Sequence, residues 1–271
     1  MMGLGVLLLD VLGPLMEAVS TFLPGDYFPY YFSAPYLQRP LLAAIMVTVV
    51  AGILGCYLLI QHLALMGDGL AHVAFGGVAV GIVLGATSPL SYALVFSVTA
   101  AVLIHEMQSR EMLTGDASIA IFLTGMLALG LVILRLGGGA LTTDIESFLF
   151  GNLNLIDEAS LDLIVLICLG SLVVLGFIRQ GLLACAVDPV AARVQGLPVR
   201  NIGLLFSVTT AAVVVVMVQV VGTLLVTALL VTPAATGQLL GRSFRQCMLW
   251  TQAFGFCSVI LGLYLSAEYD T

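Results

Sequence analysis

The sequence contains no lysine. Its eight cationic side chains are all arginine, set against fifteen carboxylates, for a formal net charge of −7. A P-loop needs a lysine to reach the β- and γ-phosphates, so this chain carries no nucleotide-hydrolysing motif of that kind. An acidic chain with so few cations also lacks the basic surface that nucleic acid requires. Charge of either sign is scarce: 8% of residues, against about 25% in a soluble domain. The five cysteines, Cys56, Cys168, Cys185, Cys247 and Cys257, form no CxxC pair, and four lie inside apolar runs. They read as small hydrophobes, not as a zinc knuckle or a disulfide framework. The N-terminus shows no basic leader, and Asp10, Pro14 and Glu17 interrupt its apolar run, unlike a cleavable signal peptide. His105-Glu106 begins like a zinc-protease HExxH helix, but the second histidine position is Ser109. His105 and His62 both read as interfacial residues at span ends.

What fills the chain instead is apolar surface, 61% of the residues. A lipid-embedded bundle accommodates it, because lipid accepts apolar side chains on the outside as well as the inside. A spanning helix needs about 20 mostly apolar residues. Runs at 41–60, 69–85, 89–104, 117–136, 161–178 and 247–265 qualify, with Asp116 as the simplest cap of the fourth. The run 202–240 is about twice a span, with Gly222 as its expected break and the Thr232-Pro233 step as a kink. The prediction is an all-α polytopic transmembrane helical bundle of about eight spans. Residues 1–38 form an N-terminal amphipathic or interfacial segment and residues 39–271 the transmembrane domain. Within the first segment, Tyr27, Phe28, Tyr30, Tyr31, Phe32 and Tyr36 cluster as in an interfacial aromatic belt.

Arginines favour cytoplasmic loops. Arg179, Arg193 and Arg200 flank one loop, Arg242 and Arg245 lie in another, and Arg110 in a third, and all fall on one side. The loop 137–160 then lies outside with Asp144, Glu146, Asp157 and Glu158. Arg39 and Arg135 are left near the outer face, where both can snorkel.

Four stretches carry polar chemistry. In the first, 65–81, Asp68 and His72 are four residues apart and share a helix face. A carboxylate with an imidazole suits Zn, Mn or Fe, and both are costly in lipid unless turned to a pore or partner. Asp68 as a simple helix cap is the equal alternative. Glycines at 67, 69, 76, 77 and 81 permit close helix approach. In the second, 185–198, Asp188 and Pro189 start a two-turn helix that Gly196 and Pro198 end. It is either a partner-docking helix or a plain connector. In the third, Gln219, Gly222, Thr223, Thr227, Thr232 and Pro233 place polar groups and a kink in a deep apolar run. They line a pore, or the threonines simply bond the preceding turn. In the fourth, 142–152, a short helix capped by Thr143 or Asp144 and stopped by Gly151 puts Asp144 and Glu146 at an external mouth. There they would concentrate cations or form a solvated face.

These stretches, in this order and spacing, resemble the membrane permease of the zinc, manganese and iron ABC importers, the ABC-3 family. LxGDxLxHAxxxGVAxG is similar to Leu65 through Gly81. YLFG is similar to Phe148-Leu-Phe-Gly151. D-x-x-x-A-x-x-x-G is similar to Asp188, Ala192 and Gly196. Q-x-x-G-x-x-L-V-x-A-L-L-x-x-P-A-A is similar to Gln219 through Ala235. The likeness spans about residues 38–270. The N-terminal extension of about 38 residues is longer than the family's, and family members usually continue past Glu268 into a further hydrophobic segment.

The resemblance implies a permease subunit with no ATPase of its own, in a prokaryotic plasma membrane. It implies a homodimeric pore with alternating access, two cytoplasmic ABC ATPase subunits and an extracellular or periplasmic metal-binding protein. Asp68 and His72 would face the metal path, and Val187, Asp188, Val190, Ala191, Ala192 and Gly196 would couple to the ATPase. No cofactor is bound permanently. The cargo would be zinc foremost, or manganese or iron. An ATP-independent secondary metal transporter is the alternative.

Overall fold

The apolar runs become helices, the long run 202–240 splitting into two. The structure, a computed structural model, describes residues 3–86, 88–137, 148–151, 153 and 156–269, and no strand occurs among them. The chain opens with α1 (Leu4–Ser20) and the single turn α2 (Tyr30–Ser33). Among the described residues seven helices are long and apolar enough to span: α3 (Pro35–Ile60), α4 (Met66–Val83), α5 (Pro89–Ser109), α6 (Gly115–Leu136), α7 (Glu158–Val187), α9 (Val199–Val221) and α11 (Phe244–Tyr269). Between them lie the short α8 (Pro189–Val194) and the apolar α10 (Val226–Leu240). At 15 residues, α10 is about 22 Å long, short of the roughly 30 Å hydrocarbon layer. With α10 counted, the expected eight apolar helices are present, and Gly222 is the break between α9 and α10.

The helices sort by burial. Most of α3, α4 and α9 lies inside the chain, whereas α6 and α11 lie mostly at its surface. Small residues allow the inner helices to approach. A Cβ on Gly77 of α4 would fall 2.8 Å from Ala93 Cα of α5, and one on Gly76 would fall 3.0 Å from the Met126 carbonyl oxygen of α6. Gly55 lets α3 rest on the Leu230 carbonyl of α10.

Ion pairs mark the two ends of the bundle. Glu106 pairs with Arg110 and Arg200 at one end, the arginine-rich end that the sequence assigns to the cytoplasm. Arg39, at the start of α3, pairs with Glu158 at the start of α7 at 2.6 Å. That partner accounts for an arginine at the opposite face. Asp157 caps α7, accepting from Ser160 N at 2.9 Å, and hydrogen bonds from the Ser160 side chain first, then from its backbone amide, hold the Asp157 carboxyl below the usual aspartate range.

Two local expectations are corrected, the end of α7 and the cap of α6. Helix α7 continues to Val187, so Arg179 lies inside it and does not flank the following loop. A lone glycine such as Gly181 costs a helix only about 1 kcal/mol, so nothing before Asp188-Pro189 stops it. Thr114, not Asp116, sits at the cap position of α6, and Asp116 lies in its first turn, where a carboxylate suits the helix dipole. His62 adopts φ 57° just after α3, with Leu63 N bonded to Leu58 O, so it terminates that helix as a left-handed residue.

Helix α1 packs chiefly on α7 and more lightly on α3, with Leu8, Leu9 and Leu12 against the main core. Gly5 N and Val6 N donate to Asp162 Oδ1 of α7 at 2.7 and 3.3 Å. Met16 joins a cluster with Phe28, Leu41 and Leu263. Tyr27 N and Phe28 N donate to Glu268 Oε1 of α11 at 2.8 and 2.9 Å. The opposite face of α1 leaves Leu4, Leu7, Val11, Leu15 and Val19 exposed.

Candidate metal translocation site

Helix α4 carries ionisable side chains into the centre of the bundle. Its cap position is Leu65, and no side chain caps it. The reading of Asp68 as an N-cap therefore fails, and Asp68 lies within the first turn. One turn on, His72 Nε2 faces Asp68 Oδ1 across 3.6 Å, with the side chains 13% and 32% exposed respectively. That gap exceeds a good hydrogen bond. Two ligand atoms, each about 2.1 Å from one tetrahedral ion, sit about 3.4 Å apart. The pair is thus spaced to hold a metal ion with little movement.

A third group comes from a distant part of the chain. Thr227 Oγ1 on α10 donates to the same Asp68 Oδ1 at 3.4 Å. Gly67 lies beneath the Leu230 side chain of α10, where a Cβ would meet Leu230 Cδ2 at 2.6 Å. Thr227 is among the expected pore residues, but its link to Asp68 has no sequence signal, because the two lie 159 positions apart. Among the described residues no group of three or more His, Cys, Asp or Glu side chains could hold a metal. One protomer therefore offers a carboxylate, an imidazole and a hydroxyl.

The break above this site is built from two backbones. Gly222 ends α9 with φ 78° and ψ 162°, a conformation that glycine adopts without strain. The amides freed by the break find partners in the segment after the outer loop. Thr223 N donates to Phe148 O at 3.1 Å and Leu224 N to Leu149 O at 3.2 Å. Gly151, also at φ 78°, packs on Gly222. The Phe-Leu-Phe-Gly stretch is thus a cap on the broken helix. Pro233 lies inside α10, which runs unbroken around it. Asp144 and Glu146 lie outside the described residues.

Five buried polar side-chain atoms lack a hydrogen-bond partner among the described residues, two of them Gln61 Nε2 and Gln252 Oε1. The other three are His72 Nδ1, Gln219 Oε1 and Thr223 Oγ1. Each such atom costs about 1–3 kcal/mol if left dry. Buried polar groups at membrane depth mark a hydrated path or a cargo site.

At the arginine-rich end, α8 is specified residue by residue. Asp188 Oδ1 accepts from Val190 N and Ala191 N, both at 2.9 Å. Ala192 is buried against the body. Leu197 N bonds to Ala192 O and Gly196 N to Arg193 O, with Gly196 at φ 82°, the C-terminal turn of a Schellman motif. The spacing of Asp188, Ala192 and Gly196 is therefore cap, anchor and stop. Val187, Val190 and Val194 point away, 74%, 69% and 84% exposed.

Residues 33–271 match the ABC 3 transport family. The manganese transport system membrane protein MntC of Halalkalibacterium halodurans is 33% identical over 244 residues, 90% of this chain and 83% of its own. The manganese import system permease protein ScaB of Streptococcus parasanguinis is 33% identical, covering 85% and 81%. The high-affinity zinc uptake system membrane protein ZnuB of Haemophilus influenzae is 30% identical, covering 85% and 88%. Among solved structures, PsaBC from Streptococcus pneumoniae in complex with Fab superposes with a TM-score of 0.75 at 31% identity, covering 87% of this chain and 84% of that one.

Proposed function

Because the chain belongs to the ABC 3 transport family, we propose that it is the membrane permease of an importer for divalent first-row metal ions. ATP is hydrolysed on a separate partner chain, and this chain contributes the path. The observation that carries the metal reading is the Asp68–His72 pair, spaced for one ion and joined by the Thr227 hydroxyl inside the bundle. The cargo is manganese or zinc. Carboxylate, imidazole and hydroxyl donors serve both ions, and affinity order does not decide between them in a cell.

The permease works as a pair of copies in a prokaryotic plasma membrane. Two strong ligands from one protomer make a weak site, and the same two from a second copy would complete four. A cargo site must also be weak enough to release its ion. Metal arrives from an external binding protein, with Gln219, Thr223 and Thr227 lining the way and the Gly222 break setting its outer end. The exposed valines of α8 rest on the ATPase subunit. Residues 1–38 lie on the outer surface of the membrane, with the apolar face of α1 toward lipid.

The test is uptake in proteoliposomes holding this chain with its ATPase and its binding protein, with Mn²⁺ and Zn²⁺ in competition. Wild type imports one or both only with ATP, and Asp68→Ala and His72→Ala each lower uptake by at least the roughly 10- to 100-fold that losing even a group supporting a metal ligand costs. If assembled variants import at the wild-type rate, the site is elsewhere. Uptake without ATP or the ATPase would favour a secondary transporter.

A further inference from the structure

The cytoplasmic end of α5 grips the first turn of α9. Glu106 accepts from Arg200 Nη2 through both carboxylate oxygens, at 2.9 and 2.8 Å. The neighbouring His105 Nε2 donates to the carbonyl oxygen of the same Arg200 at 3.0 Å. The imidazole lies against Gly203, where a Cβ would meet ring Cε1 at 2.6 Å. Two consecutive side chains of one helix therefore hold a guanidinium, a carbonyl and a bare backbone position of another. Glu106 also accepts from Arg110 Nε at 2.6 Å, but that pair lies within one stretch of chain and joins nothing else.

The position of this grip matters more than its strength, since exposed ion pairs contribute little to stability. Arg200 follows the stop turn of α8 at Gly196 by four residues, with Pro198 between them, so a displacement of α8 is carried directly to Arg200. On the other side, α5 is packed backbone to backbone on the metal-bearing helix: Gly77 meets Ala93 and Gly81 meets Pro89, with would-be Cβ contacts of 2.8 and 3.1 Å to their Cα atoms. A contiguous route runs from α8 through Arg200, Glu106 and α5 to Asp68 and His72 on α4.

We propose that His105, Glu106 and Arg200 form the joint that delivers movement of α8 to the metal-bearing helix. They are positioning residues for transport, and none of them touches the ion. The inference rests on the importer reading given above. Without the joint, α8 still engages the ATPase and ATP is still hydrolysed, but α5 and α4 no longer follow.

The measurement is ATP hydrolysis and metal uptake in parallel, in proteoliposomes of the complete complex, with Mn²⁺ and Zn²⁺ each as probe. Arg200→Gln and Glu106→Gln retain assembly and hydrolysis, while ions imported per ATP fall about fivefold, within the range by which residues on a coupling route act. The double variant falls no further than either single one, as expected for partners in one interaction. Arg110→Gln, which removes the other cation from the same carboxylate, leaves the ratio unchanged. A normal ratio in Arg200→Gln, or an equal fall in Arg110→Gln, overturns the joint. Should Arg200→Gln not assemble, Glu106→Asp replaces it: one methylene shorter, it keeps its charge but loses its reach, and a normal ratio there is equally fatal. If the wild-type complex imports neither metal, the importer reading itself fails.

Discussion

Gly151 and Gly222 meet backbone to backbone. A Cβ on Gly151 would lie 2.6 Å from the Gly222 amide nitrogen, and a Cβ on Gly222 would strike the Phe150 carbonyl carbon. Both residues hold φ 78°. The contact lets the carbonyls of Phe148 and Leu149 accept from the amides of Thr223 and Leu224 in the break after α9. In a low-dielectric bundle those amides would otherwise be costly.

Replacing either glycine with alanine therefore acts twice, through strain at positive φ, about 1 kcal/mol or more, and through collision with the facing backbone. Gly222→Ala and Gly151→Ala should each lower the melting temperature of the purified permease, with a less than additive effect in the double variant. A thermal-shift assay checks this, and unchanged melting in both singles would show that the two backbones are free to part.

Thr227 should tune the metal site without being indispensable to it. Its hydroxyl holds Asp68 Oδ1 at 3.4 Å, a long bond to a carboxylate at the weak end of the 1.5–3 kcal/mol such bonds contribute. Thr227→Val should raise the half-saturating metal concentration about tenfold with maximal uptake largely kept, and Thr227→Ser should restore it. A loss of maximal uptake alone would place Thr227 in the gating movement instead.

The cap of α8 is open to a conservative comparison. Asp188→Ala removes the acceptor for Val190 N and Ala191 N, a loss of about 1 kcal/mol in a six-residue helix. Co-purification of the ATPase subunit should weaken. Asp188→Asn, which still caps, should retain it. Equal loss in both variants would mean that the negative charge, not the cap, is what the partner reads.

At the outer face, Asp162→Ala should free the start of α1, because Gly5 N and Val6 N lose their acceptor. Amide exchange over residues 4–9 should quicken about tenfold, as expected when a bond to a carboxylate is lost, while metal uptake stays at the wild-type rate. Unchanged exchange would show that apolar contacts such as that of Met16 hold α1 by themselves.

The sequence by itself determined which segments are helices, where one of them breaks, how α8 begins and ends, and that Asp68 and His72 share a face. These are properties of one stretch of chain: about twenty apolar residues make a span, a cap is read within four residues, and a helical repeat places positions four apart together. Where local rules competed, the reading slipped. Asp116 looked like a cap because nothing local distinguishes it from Thr114, and α7 outran its expected end because one glycine does not stop a helix. What meets across elements came from packing in three dimensions. That packing brought Thr227 to Asp68, the carbonyls after the outer loop to the amides at Gly222, and His105-Glu106 to Arg200. Those pairings follow from how close small residues let helix backbones come, and so from packing over 70 to 160 positions of separation, which no single periodicity records.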